Sequence, residues 1–444
     1  MTTIAQLSQT MQTLLTTTTE AAATDLRYVQ RPDRAKFSPQ TLVQTLVYGW
    51  LANPTASLEQ LAHMATRLDV DVSPQAIHRR CTMATATLLH HVLKASLSQV
   101  ITADPVALPI LQRFTSVRIH DSTTIGLPDA LTTRYRGCGN HGPVGTAGMK
   151  CGVQLDMLTG AICGMDIVDG RAADHSLPIQ HAPMPAGSLR LADLGFYNLT
   201  VLQTLTDAGG YWLSRIQTNS RLRVPGQRKQ SILEVVTALG PIDEWESPVI
   251  IGTNVRIPAR LLIQRVPAEV AAQRRQRVED EAHGKRRPVA KDALALTEWT
   301  IVITNVPREQ LSVAEAMVLL KIRWQIELFF KLWKSHGRVD EWRTKKPARI
   351  LCEIYAKLIG LLFQHWVLVV STWENPERSA MKAAKIVMTY ATELAMTQRD
   401  PARFLAVLLM LVQTVRRWAR MQKRQKRPST AQRLLALTAE AGQG

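Results

Sequence analysis

The amino-acid sequence predicts a mixed α/β fold with helical regions at both ends of the chain. Between residues 115 and 217, short strand-like runs are followed by alternating helical and strand-like segments, which is typical of a mixed central sheet flanked by helices. Residues 1–105 and 341–444 have a helical pattern instead. With 444 residues, the chain is long enough for about two to four domains.

The composition is that of a globular protein with a strong basic excess. Hydrophobic residues make up 46% and charged residues 20% of the chain, which argues against a disordered protein. Lysine and arginine total 54 against 36 acidic residues, a formal net charge of +18. Because each basic side chain placed against a phosphate releases counterions, this excess favours nucleic acid as the partner. The alternative is a basic protein that binds anions without specificity.

The cysteines, the first residues and the apolar runs indicate a cytoplasmic protein without a membrane partner. Because DNA is the expected partner, the protein is also expected to associate with the nucleoid. The five cysteines show no CxxC spacing, so a zinc site is not expected, and their odd number suits a reducing compartment. The first residues lack the basic segment and continuous apolar core of a signal peptide. The apolar runs at 356–373 and 404–415 are interpreted as buried helices, because the first contains polar residues and the second is too short to span a bilayer.

Residues 57–82, within the helical region 1–105, have the form of a helix-turn-helix. The first helix ends before a short connection, and Ser73 then supplies an N-cap with Pro74 at the first position of the second helix. This second helix is expected to present side chains suited to base edges and phosphates: Gln75, His78, Arg79 and Arg80. A plain helical hairpin with a solvated basic face is the alternative.

The segment 106–217 carries three strand candidates, SVRIHDST, GMKCGVQLDML and AICGMDIVDG, in a predicted meander. A helix is predicted near 173–181, followed by the strand LRLAD, the helix NLTVLQTLTDAG and the strand GYWLSRI. Residues 218–298 interrupt this pattern with further strand-like pieces and a charged stretch at 271–288, either a solvated helix or a surface for the DNA backbone. Residues 299–340 restore it with the strand EWTIVITNV and helical periodicity over 311–336.

Two aspartates stand at predicted strand ends. Asp121 closes the apolar strand VRIHD, and Asp193 closes LRLAD. An aspartate in such a place is usually a turn former or a helix cap, but neighbouring strand ends in one sheet bring two carboxylates close together. Phosphodiester chemistry needs such convergent carboxylates, because they hold the divalent ions that neutralise the attacking and leaving oxygens.

A third carboxylate lies in the run KIRWQIELFFKLWK. Its apolar residues form a wide stripe, and Arg323, Glu327 and Lys334, spaced four and seven residues apart, project from one side of the helix. One reading is a surface Arg–Glu pair worth only tenths of a kcal/mol. The other makes Glu327 a metal ligand flanked by residues that bind phosphate. Spacing alone does not decide between them.

This run resembles the signature helix of the insertion-sequence-four family of bacterial DDE transposases, Tyr-x-x-Arg-x-x-x-Glu-x-x-x-x-x-x-Lys. Arg323, Glu327 and Lys334 match it in register, whereas Leu320 replaces the tyrosine. Over about residues 115–336 the resemblance also includes HDSTT around Asp121, the AGMK…LDMLTG hairpin, Asp193 followed by Leu-Gly-Phe, Trp324 followed two residues later by Ile326, and TNV at 304–306.

The resemblance implies an RNase H-like catalytic core, a mixed five-stranded sheet flanked by helices, split by a β-rich insertion at 218–298. It also implies that Asp121, Asp193 and Glu327 hold two Mg²⁺ ions, which Mn²⁺ can replace. These ions serve to nick the transposon end, and the freed 3′-hydroxyl then attacks target DNA; related enzymes pass through a hairpin. A homodimer in the synaptic complex is expected, with subunit contacts in the helical region 341–444.

Other DNA contacts are predicted from single observations. Arg215 resembles a phosphate-contacting arginine of the family, and Lys331 joins Lys334 on the signature helix. Trp299 is placed to stack on a flipped base, with packing at the strand end as the alternative. His120 points away from Asp121 by strand alternation and is interpreted as structural. The loop 134–143 and the basic tail 416–427 are candidates for contact with DNA.

The sequence therefore predicts a DNA transposase that binds transposon ends, cleaves DNA and joins the ends to target DNA. Two alternatives stay open: a nuclease of similar fold without strand transfer, and a catalytically inactive DNA-binding regulator.

Overall fold

The computed structural model describes residues 3–28, 36–138, 146–284, 288–289, 291–421 and 430–441. The chain divides into two compact units. The first unit comprises Met1–Ala107, Ser122–Ala172 and Gln325–Arg427, and the second comprises Leu108–Asp121, Ala173–Trp324 and Pro428–Gly444. The loop residues 139–143 and the tail residues 422–427, both predicted to contact DNA, lie outside the described residues.

The helices, in chain order, are α1 (Thr3–Thr13), α2 (Thr19–Asp25), α3 (Pro39–Ala52), α4 (Leu58–Arg67), α5 (Pro74–Arg80), α6 (Met83–Leu97), α7 (Leu199–Asp207), α8 (Ile232–Ala238), α9 (Ala268–Gly284), α10 (Lys291–Ala295), α11 (Val313–Ile322), α12 (Trp324–Ser335), α13 (Pro347–Thr372), α14 (Ala380–Thr397), α15 (Pro401–Trp418) and α16 (Thr430–Ala441). The strands are β1 (Val117–Leu127), β2 (Ala147–Asp156), β3 (Ile162–Asp169), β4 (Leu189–Ala192), β5 (Tyr211–Arg215), β6 (Arg221–Arg223), β7 (Lys229–Ser231), β8 (Glu244–Ile251), β9 (Ile257–Arg265) and β10 (Trp299–Thr304).

Helix α13 is the centre of the first unit. Its side chains are buried from Arg349 to Thr372, and α3, α6, α14 and α15 pack around it. The helix is long and apolar enough to cross a membrane, but its most apolar window is entirely buried inside the protein. The predicted buried helix at 356–373 is therefore confirmed as a core helix.

The N-terminal and C-terminal helical regions belong to the same compact unit, which comprises Met1–Ala107, Ser122–Ala172 and Gln325–Arg427. Helix α3 packs against both α13 and α14. Its side chains are buried without interruption from Thr41 to Leu51, so more than one face must be covered by other helices. The C-terminal part of the chain therefore supplies two of the partners of α3, in addition to α2 and α4 of the N-terminal region.

A buried ion pair lies inside α13. The Nζ of Lys357 is 2.8 Å from a carboxylate oxygen of Glu353, and the two side chains are 2% and 5% exposed. Lys357 also donates hydrogen bonds to the backbone carbonyls of Arg338 and Glu341, at 2.9 and 2.8 Å. Burial raises the pKa of Glu353 and lowers that of Lys357, whereas their mutual attraction favours both charged forms. The attraction between the two charges, together with the hydrogen bonds from Lys357, therefore has to offset the hydration free energy that both groups lose on burial.

The β2–β3 turn contacts the end of α13 within the first unit. Gly160 adopts a φ of +79°, and a Cβ at that position would meet the Trp373 ring at 2.5 Å. The Nε2–H of buried His365 donates to the Gly160 carbonyl at 2.7 Å. Burial lowers the pKa of His365 to about 4, so the ring is neutral at neutral pH.

Replacing His365 with glutamine is expected to flatten the acid dependence of stability. The folded pKa of about 4 lies below the ordinary value of 6.5, so the histidine's contribution is complete above pH 6.5 and is lost as the pH falls towards 4. Glutamine keeps a donor for Gly160 but does not titrate. The slope of unfolding free energy against pH should fall by up to about 1.4 kcal/mol per pH unit in that window. Urea unfolding from pH 7 to 4.5 measures this slope, with the exposed His63→Gln as control; unchanged slopes in both variants would contradict the assignment.

The predicted helix-turn-helix is present as α4 and α5. The Ser73 hydroxyl accepts a hydrogen bond from the Ala76 amide at 3.3 Å, and Pro74 occupies the first helical position, as predicted. A capping box between Ser57 and Gln60 begins α4. These two caps fix where both helices start.

The three predicted strands of the meander are confirmed, with β2 lying between β3 and β1 and pairing antiparallel with β3. The helix predicted near 173–181 is wrong. Two short 3₁₀ turns, Asp174–Ser176 and Pro178–His181, take its place. Prolines at 178, 183 and 185 each remove a backbone donor and restrict the preceding residue, so a regular α-helix does not form here.

The second unit has the strand order β1-β4-β5-β10-β9-β8-β6-β7. Strands β1, β4 and β5 are parallel, and β10 pairs antiparallel with both β5 and β9. The segment that interrupts the pattern, 218–298, contributes β6 to β9, which continue the same sheet beyond β10. One apolar cluster, which includes Trp212, Ile263 and Ile303, supports this sheet.

Candidate active site

The register of the parallel strands places Asp121 and Asp193 side by side. Ile119 pairs with Leu191, and Leu191 pairs with Leu213. Two residues further along each strand come Asp121, Asp193 and Arg215, which therefore share one face of the sheet, since strand side chains alternate. Asp121 does not end its strand as predicted, because β1 continues to Leu127. The β1–β4 ladder does end there, after the pair His120–Ala192.

Arg323 lies between these two aspartates. Its Nη1 is 3.1 Å from an Asp121 carboxylate oxygen, and its Nε is 3.8 Å from an Asp193 oxygen. The side chains of Arg323 and Asp121 are 17% and 16% exposed, whereas that of Asp193 is 46% exposed. The guanidinium thus neutralises a pair of carboxylates that would otherwise repel each other. The sequence predicted Arg323 to bind phosphate and gave no sign of this pairing.

Arg323 also marks a break in the predicted helix 311–336. Helix α11 ends at Ile322 and α12 begins at Trp324, with Arg323 itself in helical conformation. The apolar stripe of α12 is buried as predicted: Ile326, Phe329, Phe330 and Trp333. Leu320, at the family's tyrosine position, is 8% exposed.

On the polar side of α12, Lys334 is fixed by a backbone contact within the first unit. Its Nζ donates to the Thr124 carbonyl at 3.0 Å. Glu327 is half-buried about two turns earlier on the same helix, and Lys331 is exposed. Two apolar side chains on this side are exposed as well, Trp324 and Leu328. The polar side of α12 therefore presents one carboxylate and two cations beside an apolar surface.

A buried arginine contacts the turn Leu194–Phe196, which follows Asp193. Arg190 is 2% exposed and donates to the Gln180 side-chain oxygen at 2.5 Å and to the Phe196 carbonyl at 3.3 Å. Burial lowers its pKa to about 10, so it stays charged at neutral pH. His120, packed edge-on against Phe196, is 1% exposed, and its pKa is lowered well below the usual value, first by burial and then by Arg190. It is thus a neutral core residue, in accord with the structural role expected from alternation.

The donor chemistry fits a hard divalent ion. Asp121 and Asp193 offer only carboxylate oxygens, the ligands that Mg²⁺ prefers, and they already share a cation in the form of Arg323. In the part of the chain that the structure describes, no three His, Cys, Asp or Glu side chains converge as a metal site. A bound ion would therefore compete with the Arg323 guanidinium for the negative charge of these carboxylates.

Trp299 is buried rather than presented to a base. The residue is 7% exposed, and the Arg265 guanidinium lies 4.6 Å from its ring centroid. Its carbonyl accepts a hydrogen bond from Arg274 at 2.8 Å. The ring belongs to the apolar cluster of the second unit, which is the packing alternative left open by the sequence. Arg215, by contrast, is exposed. It ends β5, the strand next to β4, which leads to Asp193.

Of the four α5 residues predicted to meet DNA, Gln75 and Arg79 are exposed and Arg80 is half-buried. His78 is engaged instead, because the Lys346 ammonium donates to its Nε2 at 2.8 Å. Burial, and then Lys346, lower the pKa of His78, which keeps it neutral. Arg79 and Arg80 line a cavity of about 550 Å³ together with Arg27 and Tyr28.

Comparison with known proteins identifies the family of the chain. The chain matches the family model described as transposase DDE domain over residues 112–363, more than half of its length. It is 27% identical over 365 residues to the transposase for insertion sequence element IS231F of Bacillus thuringiensis subsp. israelensis, covering 77% of this chain and 75% of that protein. It is 24% identical over 398 residues to the transposase for IS1151 of Clostridium perfringens, with coverages of 84% and 83%.

A shorter match, 25% identical over 245 residues, links 53% of the chain to 65% of the putative transposase InsL for IS186A of Escherichia coli K12. The family model includes Asp121, Asp193, Arg323 and the whole of α12. The resemblance seen in the signature helix is therefore confirmed: the protein belongs to the transposase DDE domain family, whose members are metal-dependent enzymes that cleave DNA.

Proposed function

We propose that this protein binds the ends of an insertion-sequence element, cleaves DNA strands by metal-dependent hydrolysis and joins the 3′-hydroxyl ends to target DNA. The single observation that carries this proposal is the meeting of Asp121 and Asp193 around Arg323, at the end of the β1–β4 ladder. We infer that this pair of carboxylates supplies the first two acidic residues of the DDE motif, because both lie within the family match at 112–363.

Glu327 is proposed as the third metal ligand, completing a site for two Mg²⁺ ions that Mn²⁺ can replace. It follows Arg323 by four residues, on a helix whose Lys334 contacts the backbone of β1 at Thr124. When bound, the ions supply charge neutralisation for the attacking and leaving oxygens of the phosphodiester. All three proposed ligands are carboxylates, which supports Mg²⁺ over softer metals.

The protein's own cations have distinct proposed roles. Arg323 holds Asp121 and Asp193 together before ions bind, and afterwards it is released to bind a DNA phosphate. Lys331 and Lys334 bind phosphates from the same side of α12. Arg190 positions Asp193 by holding the Phe196 carbonyl, and so keeps the turn after β4 in place.

The fold supports an RNase H-like core. The antiparallel pair β3-β2 of the first unit and the parallel strands β1, β4 and β5 of the second are the five strands to which we assign the core that the family resemblance implies. The element ends are proposed to be read by Gln75 and Arg79 of α5, with Arg80 and Arg27 on backbone phosphates. Strand transfer is proposed to proceed in a homodimer, after cleavage with or without a hairpin intermediate. The site of action is the cytoplasmic nucleoid.

The proposal is tested by incubating the full chain with Mg²⁺, DNA carrying the element's own ends and a target plasmid. Nicks, hairpins and joined products are resolved on denaturing gels. Joined products with 3′ ends in the target support the transposase assignment. Cleavage without joining favours the nuclease alternative, and binding without any cleavage favours the inactive regulator.

Replacing Arg323 with glutamine is expected to increase the affinity for divalent ions. In the wild type an incoming ion must displace a half-buried guanidinium from Asp121, and the variant has no such competitor. An interaction worth about 1–2 kcal/mol corresponds to a decrease of roughly 5- to 30-fold in the Kd for Mn²⁺. Titration of Mn²⁺ by electron paramagnetic resonance in the absence of DNA measures it. The matched control is Arg308→Gln, an exposed arginine outside the site; a weaker affinity in Arg323→Gln would show that the arginine organises the ligands instead.

A further inference from the structure

A cluster of cations lies on the same face of the sheet as the two aspartates. Arg215, on the Asp193 face, pairs across the ladder with Val302 of β10, and Thr300 shares that face two residues earlier. Arg274 of α9 donates from Nη2 to the Thr300 hydroxyl at 3.0 Å and from Nη1 to the Trp299 carbonyl at 2.8 Å. These two hydrogen bonds fix Arg274 against the first two residues of β10, two residues before Val302, the partner of Arg215.

Two more cations reach this place from helices α11 and α16. Helix α16 packs against α11 within the second unit and buries Leu434 completely. The pKa of Lys321, the penultimate residue of α11, is lowered by burial and then by Arg433 of α16 and by Arg274. The pKa of Arg274 is lowered by burial and then by Arg215 and Arg277. Four elements, β5, α9, α11 and α16, therefore each contribute one cation to this cluster: Arg215, Arg274, Lys321 and Arg433.

No acidic partner offsets them within the described ranges of the chain. Arg215, Arg274, Lys321 and Arg433 make no ion pair there, although α9 does carry acidic residues towards its end. Their neighbour Arg275 differs, because its guanidinium is 3.5 Å from the Glu298 carboxylate. Like charges held close together raise each other's free energy, and an anion between them reverses the sign of this interaction. The cluster is thus complementary to a polyanion.

We propose that Arg274, Lys321 and Arg433, together with Arg215, bind the sugar-phosphate backbone of the DNA that flanks the cleavage point. This inference rests on the proposed function, which supplies the DNA. Strands are spaced about 4.8 Å apart, so β10 lies about 10 Å across the sheet from β4 and Asp193. With a rise of about 3.4 Å per nucleotide, the cluster would hold phosphates about three nucleotides from the one being cut.

The test measures the salt dependence of binding to a fluorescent duplex, without divalent ions. Wild type is compared with Lys321→Gln, Arg433→Gln and the double variant, because these side chains are not anchored to the sheet as Arg274 is. Each lost phosphate contact should reduce the slope of log K against log [salt] by about 0.9, and weaken binding at 0.15 M salt by about 3- to 10-fold. The loss should be equal for element ends and for random duplex, since phosphates carry no sequence information.

The matched control is Arg275→Gln, which removes a cation of the same surface that already has an acidic partner. Its slope should equal that of wild type. Slopes unchanged in Lys321→Gln and Arg433→Gln, with wild-type binding and cleavage intact, would overturn this inference and leave the proposed function standing. A slope reduced equally in Arg275→Gln would also overturn it, because the effect would then follow net charge alone. Absence of any duplex binding by wild type would overturn both.

Discussion

Glu327→Gln is expected to lower the rate of strand cleavage by at least about 10³-fold while leaving DNA binding and stability unchanged. Glutamine has the shape of glutamate but lacks the charge that holds a divalent ion. Loss of about 4 kcal/mol of transition-state stabilisation corresponds to this factor, at about 1.4 kcal/mol for each factor of ten. Glu327 is half-buried on the polar side of α12, so the exchange leaves the buried stripe of that helix intact.

Cleavage of end-bearing DNA under single-turnover conditions with Mg²⁺ measures the effect, and a mobility-shift assay reports binding separately. Glu309→Gln is the matched control, an exposed glutamate ahead of α11 and within the family match. Equal rates in Glu327→Gln and wild type would remove Glu327 from the site and leave Asp121 and Asp193 without a third ligand.

Lys357→Met is expected to reduce the free energy of unfolding by about 3–5 kcal/mol, the usual cost of breaking a buried ion pair on one side. The change leaves the Glu353 carboxylate buried without its partner, and it removes the donor to the Arg338 and Glu341 carbonyls. Methionine fills a similar volume, so the loss is electrostatic rather than a cavity. Urea unfolding followed by circular dichroism measures the loss.

Two further variants test whether the loss in Lys357→Met comes from the buried ion pair. Glu353→Gln in the Lys357→Met background removes the stranded charge and should restore part of the stability. Lys385→Met, at an exposed position of α14, should change stability by less than about 0.5 kcal/mol. A loss below 1 kcal/mol in Lys357→Met would mean that water reaches the pair.

The sequence predicts the strands and the two aspartates well because local chemistry determines them. The apolar runs that end in Asp121 and Asp193 are strands in the structure, and parallel pairing then puts the two residues on adjacent positions of one face. Ser73 and Pro74 likewise mark the start of α5 at the predicted residue. In each case the signal lies within a few residues of the feature that it specifies.

What sequence analysis missed depends on contacts between distant residues. The four- and seven-residue spacing of Arg323, Glu327 and Lys334 suggested one helical face, whereas Arg323 lies between helices and contacts carboxylates 202 and 130 residues away in the sequence. The cluster formed by Arg215, Arg274, Lys321 and Arg433 combines four segments, none of which is unusual alone. The 3₁₀ turns at 174–181 were missed although the prolines signalled them.

The packing of α3 between α13 and α14 has a consequence for how the chain is made. The first of these partners, α13, begins 295 residues after the end of α3, since 347 − 52 = 295. At roughly 5–20 residues per second, the apolar side chains of α3 that α13 covers then stay exposed for roughly 15–60 s of synthesis, a period in which chaperones can bind them. The N-terminal region that carries α5 reaches its final packing only when α13 and α14 have been translated. Any function that needs the packed form of this region therefore waits for translation through Thr397, and by then α12 with Glu327 has also been made.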